Sequence, residues 1–586
     1  MSGIRIKNIK VSMETKQIAI PISKPRRFLP ENLRINSWEI LEPYFKELNE
    51  RPLNSVNDLY NWMLDQSELE AVLEEDMAWR YIRMNIDTTD KNLADSFHFF
   101  ITKIEPHIAP FSNAFNKKLV DSPFLGELKM DKYNIYLRGV RKQIEIFREE
   151  NIPLFTELQT QQQKYGAVSA LMTVKIDGKE MTLQKAASFL KELDRNQRED
   201  AYKKIQLRRL EDADLLNELY THLIGIRKEV AKNAGFGNYR DYKFVELGRF
   251  DYTVEDCYHF HNSIEKEIVP IVEELDKERK KHLGLDKLKP WDTEVDISNK
   301  SPLKPFETGE ELINKTITCF YKIRPYFGEC LEIMKAMGHL NLESKKGKAP
   351  GGFNYPLYET GVPFIYMNAV GSLRDLVTMV HEGGHAIHSF LSRDLELTSF
   401  KSLPSEIAEL ASMSMELISM EHWDVFFEDK EDLKRARREQ LEKVLGGLPW
   451  IAIVDKFQHW VYKHPTHTSD ERIATWRTIV KELGSNVINW EGEEEALAIS
   501  WQKQLHLFEV PFYYIEYGMA QLGAIAVWRN YKQNPEKALD QYESALKLGY
   551  TKSIGEIYET AGIKFDFSQA YIKELVDFVK GELDSN

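Results

Sequence analysis

The stretch SLRDLVTMVHEGGHAIHSFL, residues 372–391, decides how the chain is read. Within it stands His381-Glu382-Gly383-Gly384-His385, an H-E-x-x-H pattern. On a helix, positions i and i+4 share one face about a turn apart, so both imidazoles can reach a single ion. Glu382 sits one residue round, placed to hold an attacking water rather than the ion itself. Two neutral imidazoles, an open coordination position and a nearby carboxylate are what hydrolysis at zinc requires.

The helix is predicted independently of the motif. Ser372 is a good N-cap, and Asp375 puts negative charge in the first turn, where the helix dipole favours it. Leu373, Leu376, Val377, Val380, Ile387 and Leu391 recur at helical spacing. That context argues against an accidental motif. Gly383 and Gly384 each cost roughly 1 kcal/mol against alanine in a helix interior. The sequence leaves two explanations: crowding by another backbone, or close approach of a peptide. Crowding is the favoured one. His388 shares the face, but His381 to His388 spans about 10 Å of helix rise, too far for one ion. It is expected to be packed or an outer partner of the site.

Working outward, 586 residues exceed one ordinary core, so two or three lobes are expected. Hydrophobic residues at 42% suffice for a large interior, and the net charge of −14 argues against a nucleic-acid partner. Cys257, Cys319 and Cys330 lack C-x-x-C spacing, so neither a disulfide framework nor a thiolate metal motif is expected. The N-terminus lacks a signal-peptide pattern and no run approaches 18 apolar residues, so the expected location is the cytoplasm.

The chain from 1 to about 35 reads as an extended arm, with loose alternation of Ile4, Ile6, Ile9 and Val11. Helices are predicted near 37–48, 56–75, 78–112, 131–149 and 152–165. Asp177-Gly178, between LMTVKI and KEMTL, signals a hairpin, with Thr182 capping the next helix. Residues 196–283 read as charge-rich helices, and 282–305 as an irregular connection at a lobe boundary, part of it a surface excursion. Helices resume at 308–326 and 328–338. The stretch 344–371 breaks the pattern, and VPFIYMN within it has strand character. A hairpin or small sheet at the cleft edge is expected, with an edge to which an extended peptide can pair.

A catalytic zinc usually takes three protein ligands. The helix predicted over 404–422 offers Glu406, Glu409 and Glu416; Glu409 and Glu416 share a face, and spacing does not choose among them. Here the sequence resembles the oligoendopeptidase F and thimet oligopeptidase group of zinc metallopeptidases. In its oligoendopeptidase branch the third ligand lies in an A-E-x-A-S helix, matched by Ala408-Glu409-Leu410-Ala411-Ser412. The resemblance thus implies one zinc ion held by His381, His385 and Glu409, with Glu416 supporting a ligand and Glu382 as the base. The segment QLHLFEVPFYYIEYGMAQLGA, 504–524, looks like the group's substrate-binding segment. It implies His506, Tyr514 and Tyr517 as catalytic donors and Tyr513 as a substrate contact, the division among tyrosines staying open. Tyr366 and Gly352, from the extended stretch, are further candidate substrate contacts.

The implied fold is mainly α, zincin-like and of the neurolysin type, with two helical lobes around a deep channel. The expected division is an N-terminal region over 1–190 and a catalytic domain over 191–586. The expected activity is endopeptidase cleavage of short oligopeptides. Its rivals are a dipeptidyl carboxypeptidase-like exopeptidase and a peptide-binding scaffold with a degenerate site. His459, His464 and His467 tempt as a second metal site, but no spacing supports this, and packed or solvated histidines are expected.

Overall fold

The computed structural model describes residues 19–585 except 22 and 299. The alternation expected at Ile4 to Val11 lies outside these residues. The later part of the arm is anchored: the backbone N–H groups of Arg27, Phe28 and Leu29 donate to Glu68.

Helices dominate, and the sequence explains most of their limits. Ser55 caps Val56–Ile86, which runs unbroken through the interruption expected at 76–77. Asp76-Met77 contains no breaker; the chain turns instead at 87–90, where Asp90 accepts from Asn92 N–H and starts Lys91–Phe99. A single π turn, Phe100–Ile104, then joins Glu105–Val120. The expected hairpin forms from β1, Thr173–Ile176, and β2, Lys179–Thr182. Its turn uses Asp177 at φ 51° and Gly178 at φ 74°, the two left-handed positions of a tight hairpin turn. Thr182 caps the next helix as anticipated.

The 282–305 connection is tied to the body. Leu288 bridges to Ile488, Trp291 and Val295 are buried, and Arg195 and Arg198 both bond to Asp292.

Ahead of the motif lies a three-stranded sheet of β3 (Leu340–Glu343), β4 (Phe353–Tyr355) and β5 (Phe364–Ala369). The order is β3-β5-β4, with β5 parallel to β3 and antiparallel to β4. The small sheet expected here forms. VPFIYMN supplies the central strand β5, as suits a continuous apolar run, and the outer strands are β3 and β4.

Two large apolar cores form among the described residues. One gathers side chains from Leu29 to Val140 with Leu397 and Phe400; the other runs from Ile146 to Leu583. Within the second, Ser405–Ser419 packs on both Leu373–Ser392 and Tyr514–Gln533. Those three helices carry the candidate site.

Candidate active site

The helix Leu373–Ser392 starts at a capping box, in which Ser372 and Asp375 satisfy each other's backbone N–H groups. Its two glycines are explained by its neighbours. A Cβ on Gly384 would stand 2.6 Å from Ser412 Cα and 2.9 Å from the Ala411 carbonyl oxygen. A Cβ on Gly383 would meet the Phe320 ring at 2.7 Å. Crowding by Ser405–Ser419 therefore accounts for Gly384. The absent methyl lets two helix backbones approach closely enough for a glutamate on one to meet histidines on the other.

That meeting is direct. His381 Nε2 lies 3.3 Å and His385 Nε2 3.7 Å from Glu409 Oε2, and donor atoms of all three residues fall within 4.8 Å of one another. Glu416, two turns on from Glu409, accepts from His381 Nδ1 at 2.6 Å and is held by Gln440 Nε2 at 2.8 Å. Fixing Nδ1 in this way turns Nε2 toward Glu409, as outer partners of metal-bound histidines commonly do. Glu409 is also held by Ser412 Oγ at 3.1 Å and Tyr513 Oη at 3.0 Å. Glu406 points elsewhere, accepting from Tyr252 Oη at 2.7 Å.

The charges follow from these contacts. Burial opposes ionisation of Glu409, but the two histidines and Tyr513 outweigh it and hold its carboxyl down to about 2. Burial also opposes charge on His381, yet the bonds to Glu409 and Glu416 keep it well above the usual histidine range. His385 is pushed down to about 4, chiefly by burial. Glu382 is pushed up to about 7, again mainly by burial, with a net push from Glu409 and a counterpull from His381. A carboxyl poised there can both take and return a proton near neutral pH. His388 is buried and pushed down to about 3, a neutral packed ring.

Facing the histidines is the segment 504–517. His506, Tyr513, Tyr514 and Tyr517 are half-buried and cluster, with ring centroids from His506 of 5.8, 5.0 and 5.8 Å to the three tyrosines in order. The Gln504 amide lies 2.7 Å from His506 Nδ1 and donates to it, which leaves the proton on Nε2, 3.5 Å from Tyr517 Oη. Burial pushes the imidazole down to about 4, so the ring is a neutral donor at physiological pH.

Two arginines, unnoticed in the sequence, build this face. Arg227, fully buried, donates to the Leu507 and Phe508 carbonyls and to Tyr462 Oη. Arg249 donates to the Phe512 carbonyl and pairs with Glu516 Oε1 at 2.7 Å. Phe512 sits at φ 67°, a strained conformation for a bulky residue, and its N–H donates to Gln458 Oε1. The arginine and the glutamine thus clamp the turn that aims Tyr513 at Glu409. Arg227 lies on the helix Ala213–Asn233 and Arg249 just beyond Tyr239–Glu246, both within the 196–283 stretch that reads as charge-rich and solvated, so only the fold reveals them.

Two candidates from the extended stretch are placed differently. The Tyr366 side chain is fully buried, its hydroxyl donating to the carbonyls of Asn85 and Ala349, and it presents nothing to the cleft. Gly352 is exposed at the start of β4, where a Cβ would press on the Tyr366 carbonyl at 3.3 Å. Asn354 of β4 reaches the Glu382 carbonyl at 3.4 Å and ties the outer strand to the motif. Beside it lies a cavity of about 300 Å³, lined by His385, Glu409, Tyr513, Tyr358, Arg393 and Lys401 among others.

A family model described as Peptidase family M3 matches residues 188–577, which include all of the motif, ligand and tyrosine segments. The chain belongs to peptidase family M3. The family's N-terminal domain model matches residues 28–147. An oligoendopeptidase F homolog of Borreliella burgdorferi is 22% identical over 588 residues, covering 94% of each chain. One from Lactococcus lactis is 23% identical over 303 residues, 51% of this chain, which spans about half (49%) of that relative's length. Among solved structures, PZ peptidase A with an inhibitor superposes with a TM-score of 0.89 at 27% identity, covering 94% of this chain and 97% of its own. The mainly helical fold with small sheets is therefore that of M3 peptidases.

Proposed function

We propose that this M3 peptidase is a zinc-dependent endopeptidase acting on short, unstructured peptides. The observation that carries the reading is the convergence of His381, His385 and Glu409 within 4.8 Å, beside a buried carboxyl at Glu382. Two imidazoles and a carboxylate are a donor set suited to catalytic zinc, and Glu416 already turns His381 the right way. When bound there, zinc would supply Lewis acidity to the scissile carbonyl and to an attacking water.

The rest is done by side chains. Glu382 takes the proton of the water and returns it to the departing amine nitrogen. His506 Nε2–H and the hydroxyls of Tyr514 and Tyr517 donate to the carbonyl oxygen as it gains charge, and Tyr513 orients both Glu409 and the peptide. The edge of β4 without a strand partner offers backbone groups to an extended peptide, and the adjoining cavity has room for a side chain. The peptide occupies a channel between the two helical cores, which keeps folded proteins out. No helix among the described residues is long and apolar enough to cross a membrane, and the cytoplasm is the proposed location.

The test compares wild type with Glu382→Gln on an internally quenched peptide of about ten residues, with zinc quantified in both. The variant should keep one zinc at this site and lose about 10²–10⁴-fold in kcat. Equal turnover would overturn the role of Glu382. Cleavage of the same peptide blocked at both ends is expected; its failure, with free-ended peptides cut, would make the enzyme an exopeptidase.

A further inference from the structure

A second group of metal-type donors lies away from the cleft. Cys257 and His261 stand four residues apart on the helix Val254–Glu267, and Asp455 and His459 four apart on Lys430–Lys463. The two helices pack against each other, so these two i, i+4 pairs face across one interface. Donor atoms of Cys257, Asp455 and His459 all fall within 4.8 Å of one another, and all three side chains are buried. His261 Nε2 lies 2.8 Å from Asp455 Oδ2, and His459 Nε2 lies 3.2 Å from the same oxygen.

The group is poorly satisfied by its own contacts. Asp455 Oδ1, His261 Nδ1 and His459 Nδ1 are buried without a hydrogen-bond partner among the described residues. The Asp455 carboxylate is fully buried, and no arginine or lysine among the described residues pairs with it. Arg249 bonds through Nη2 alone to Glu516 and the Phe512 carbonyl, its Nε and Nη1 unpartnered among the described residues. Arg240 bonds to Asp241 and Tyr258, and neither arginine bonds to Asp455. Burying an anion and several polar atoms in this way is costly unless something else completes the site. His464 and His467, by contrast, bond to the carbonyls of Trp460 and His464.

We propose that Cys257, Asp455 and His459 bind a structural divalent cation, zinc by preference, with His261 holding Asp455 in place from outside. Thiolate and carboxylate together balance a 2+ ion, leaving the interior neutral. A mixed sulfur, nitrogen and oxygen set suits zinc better than the harder magnesium or calcium. The ion staples two long helices directly behind the turn of the active site. The His459 ring packs on Phe512 at 5.3 Å between centroids, next to the residue that aims Tyr513.

The test exploits sulfur. The proposed catalytic set has no thiolate, so a thiolate-to-cobalt charge-transfer band in the cobalt-substituted full chain reports only the second site. The expected results are two zinc ions per wild-type chain, one in the His381→Ala/His385→Ala variant, and a cobalt band in both that Cys257→Ser abolishes. A single ion in wild type that disappears with the two histidines would overturn the proposal, leaving water to serve the buried atoms. Two ions without the thiolate band would overturn it equally, since the second ion would then lie elsewhere. Because wild type alone yields ion count and band, failure of Cys257→Ser to fold does not spare the proposal.

Discussion

Glu406 and Glu409 lie less than one helical turn apart on Ser405–Ser419, and both are almost fully buried, yet their chemistry is opposite. Glu409 faces two imidazoles and a phenol and is held down to about 2. Glu406 is raised by burial, which the pull of Arg249 and Tyr252 does not offset, and Glu516 nearby is pushed up to about 8 by burial and by Glu406. Arg249 is one cation for two carboxylates, and both are left inclined to hold a proton. Burial is the same in both places. The number of positive partners decides which carboxylate is ionised and so free to act as a ligand.

The largest expected difference comes from removing charge at each position in turn. Glu409→Gln should lower kcat/KM by about 10³-fold or more and release the metal, because a neutral amide is a poor ligand. Glu406→Gln should leave zinc content intact and activity within about threefold, since the amide resembles a protonated carboxyl. Peptide kinetics with metal analysis decide this, and equal losses would break the comparison.

Next comes the shared cation. Arg249→Met leaves Glu406 and Glu516 without it, and should destabilise the chain by about 3–5 kcal/mol in denaturant unfolding. It should also lower kcat by freeing the Phe512 turn, with zinc content unchanged.

The smallest effect is a pH slope. Glu516 keeps its proton up to about 8 when folded, whereas unfolded it releases it near the ordinary 4.5. The folded state therefore binds more protons between those values. Its contribution is full below about pH 4.5 and is lost as pH rises toward 8, by at most about 1.4 kcal/mol per pH unit. Glu516→Gln should flatten the slope of unfolding free energy against pH over that window; an unchanged slope would show that Glu516 does not hold the proton.

These contrasts also mark how far the sequence could be read. Caps, helix periodicity and the Asp177-Gly178 turn are local chemistry, and they set most element limits. The break expected at 76–77 falls where no residue forbids a helix, and the helix runs through it. The H-E-x-x-H spacing is local as well, so it was visible, and Glu409 was reached only through a resemblance because three glutamates share its helix. VPFIYMN shows its strand character locally, but its central place between β3 and β4 is set by strand pairing, which composition does not reveal. The clamps are invisible for a different reason, since their partners lie far off in the chain. Arg227 meets Leu507 and Phe508, and Arg249 meets Phe512, across more than 250 residues of sequence. Nothing in a lysine- and arginine-rich stretch distinguishes a buried arginine from its solvated neighbours.

The arginine clamps tie the order of the tyrosine face to the stability of the whole molecule. Their bonds end on main-chain carbonyls, so the turn at Phe512 cannot loosen without stranding a guanidinium in a dry interior. Opening that segment therefore approaches the cost of global unfolding, and its amide protons belong with the slowest to exchange. A peptide arriving at such a surface meets donors already in position, and the entropy of arranging them was settled when the chain folded.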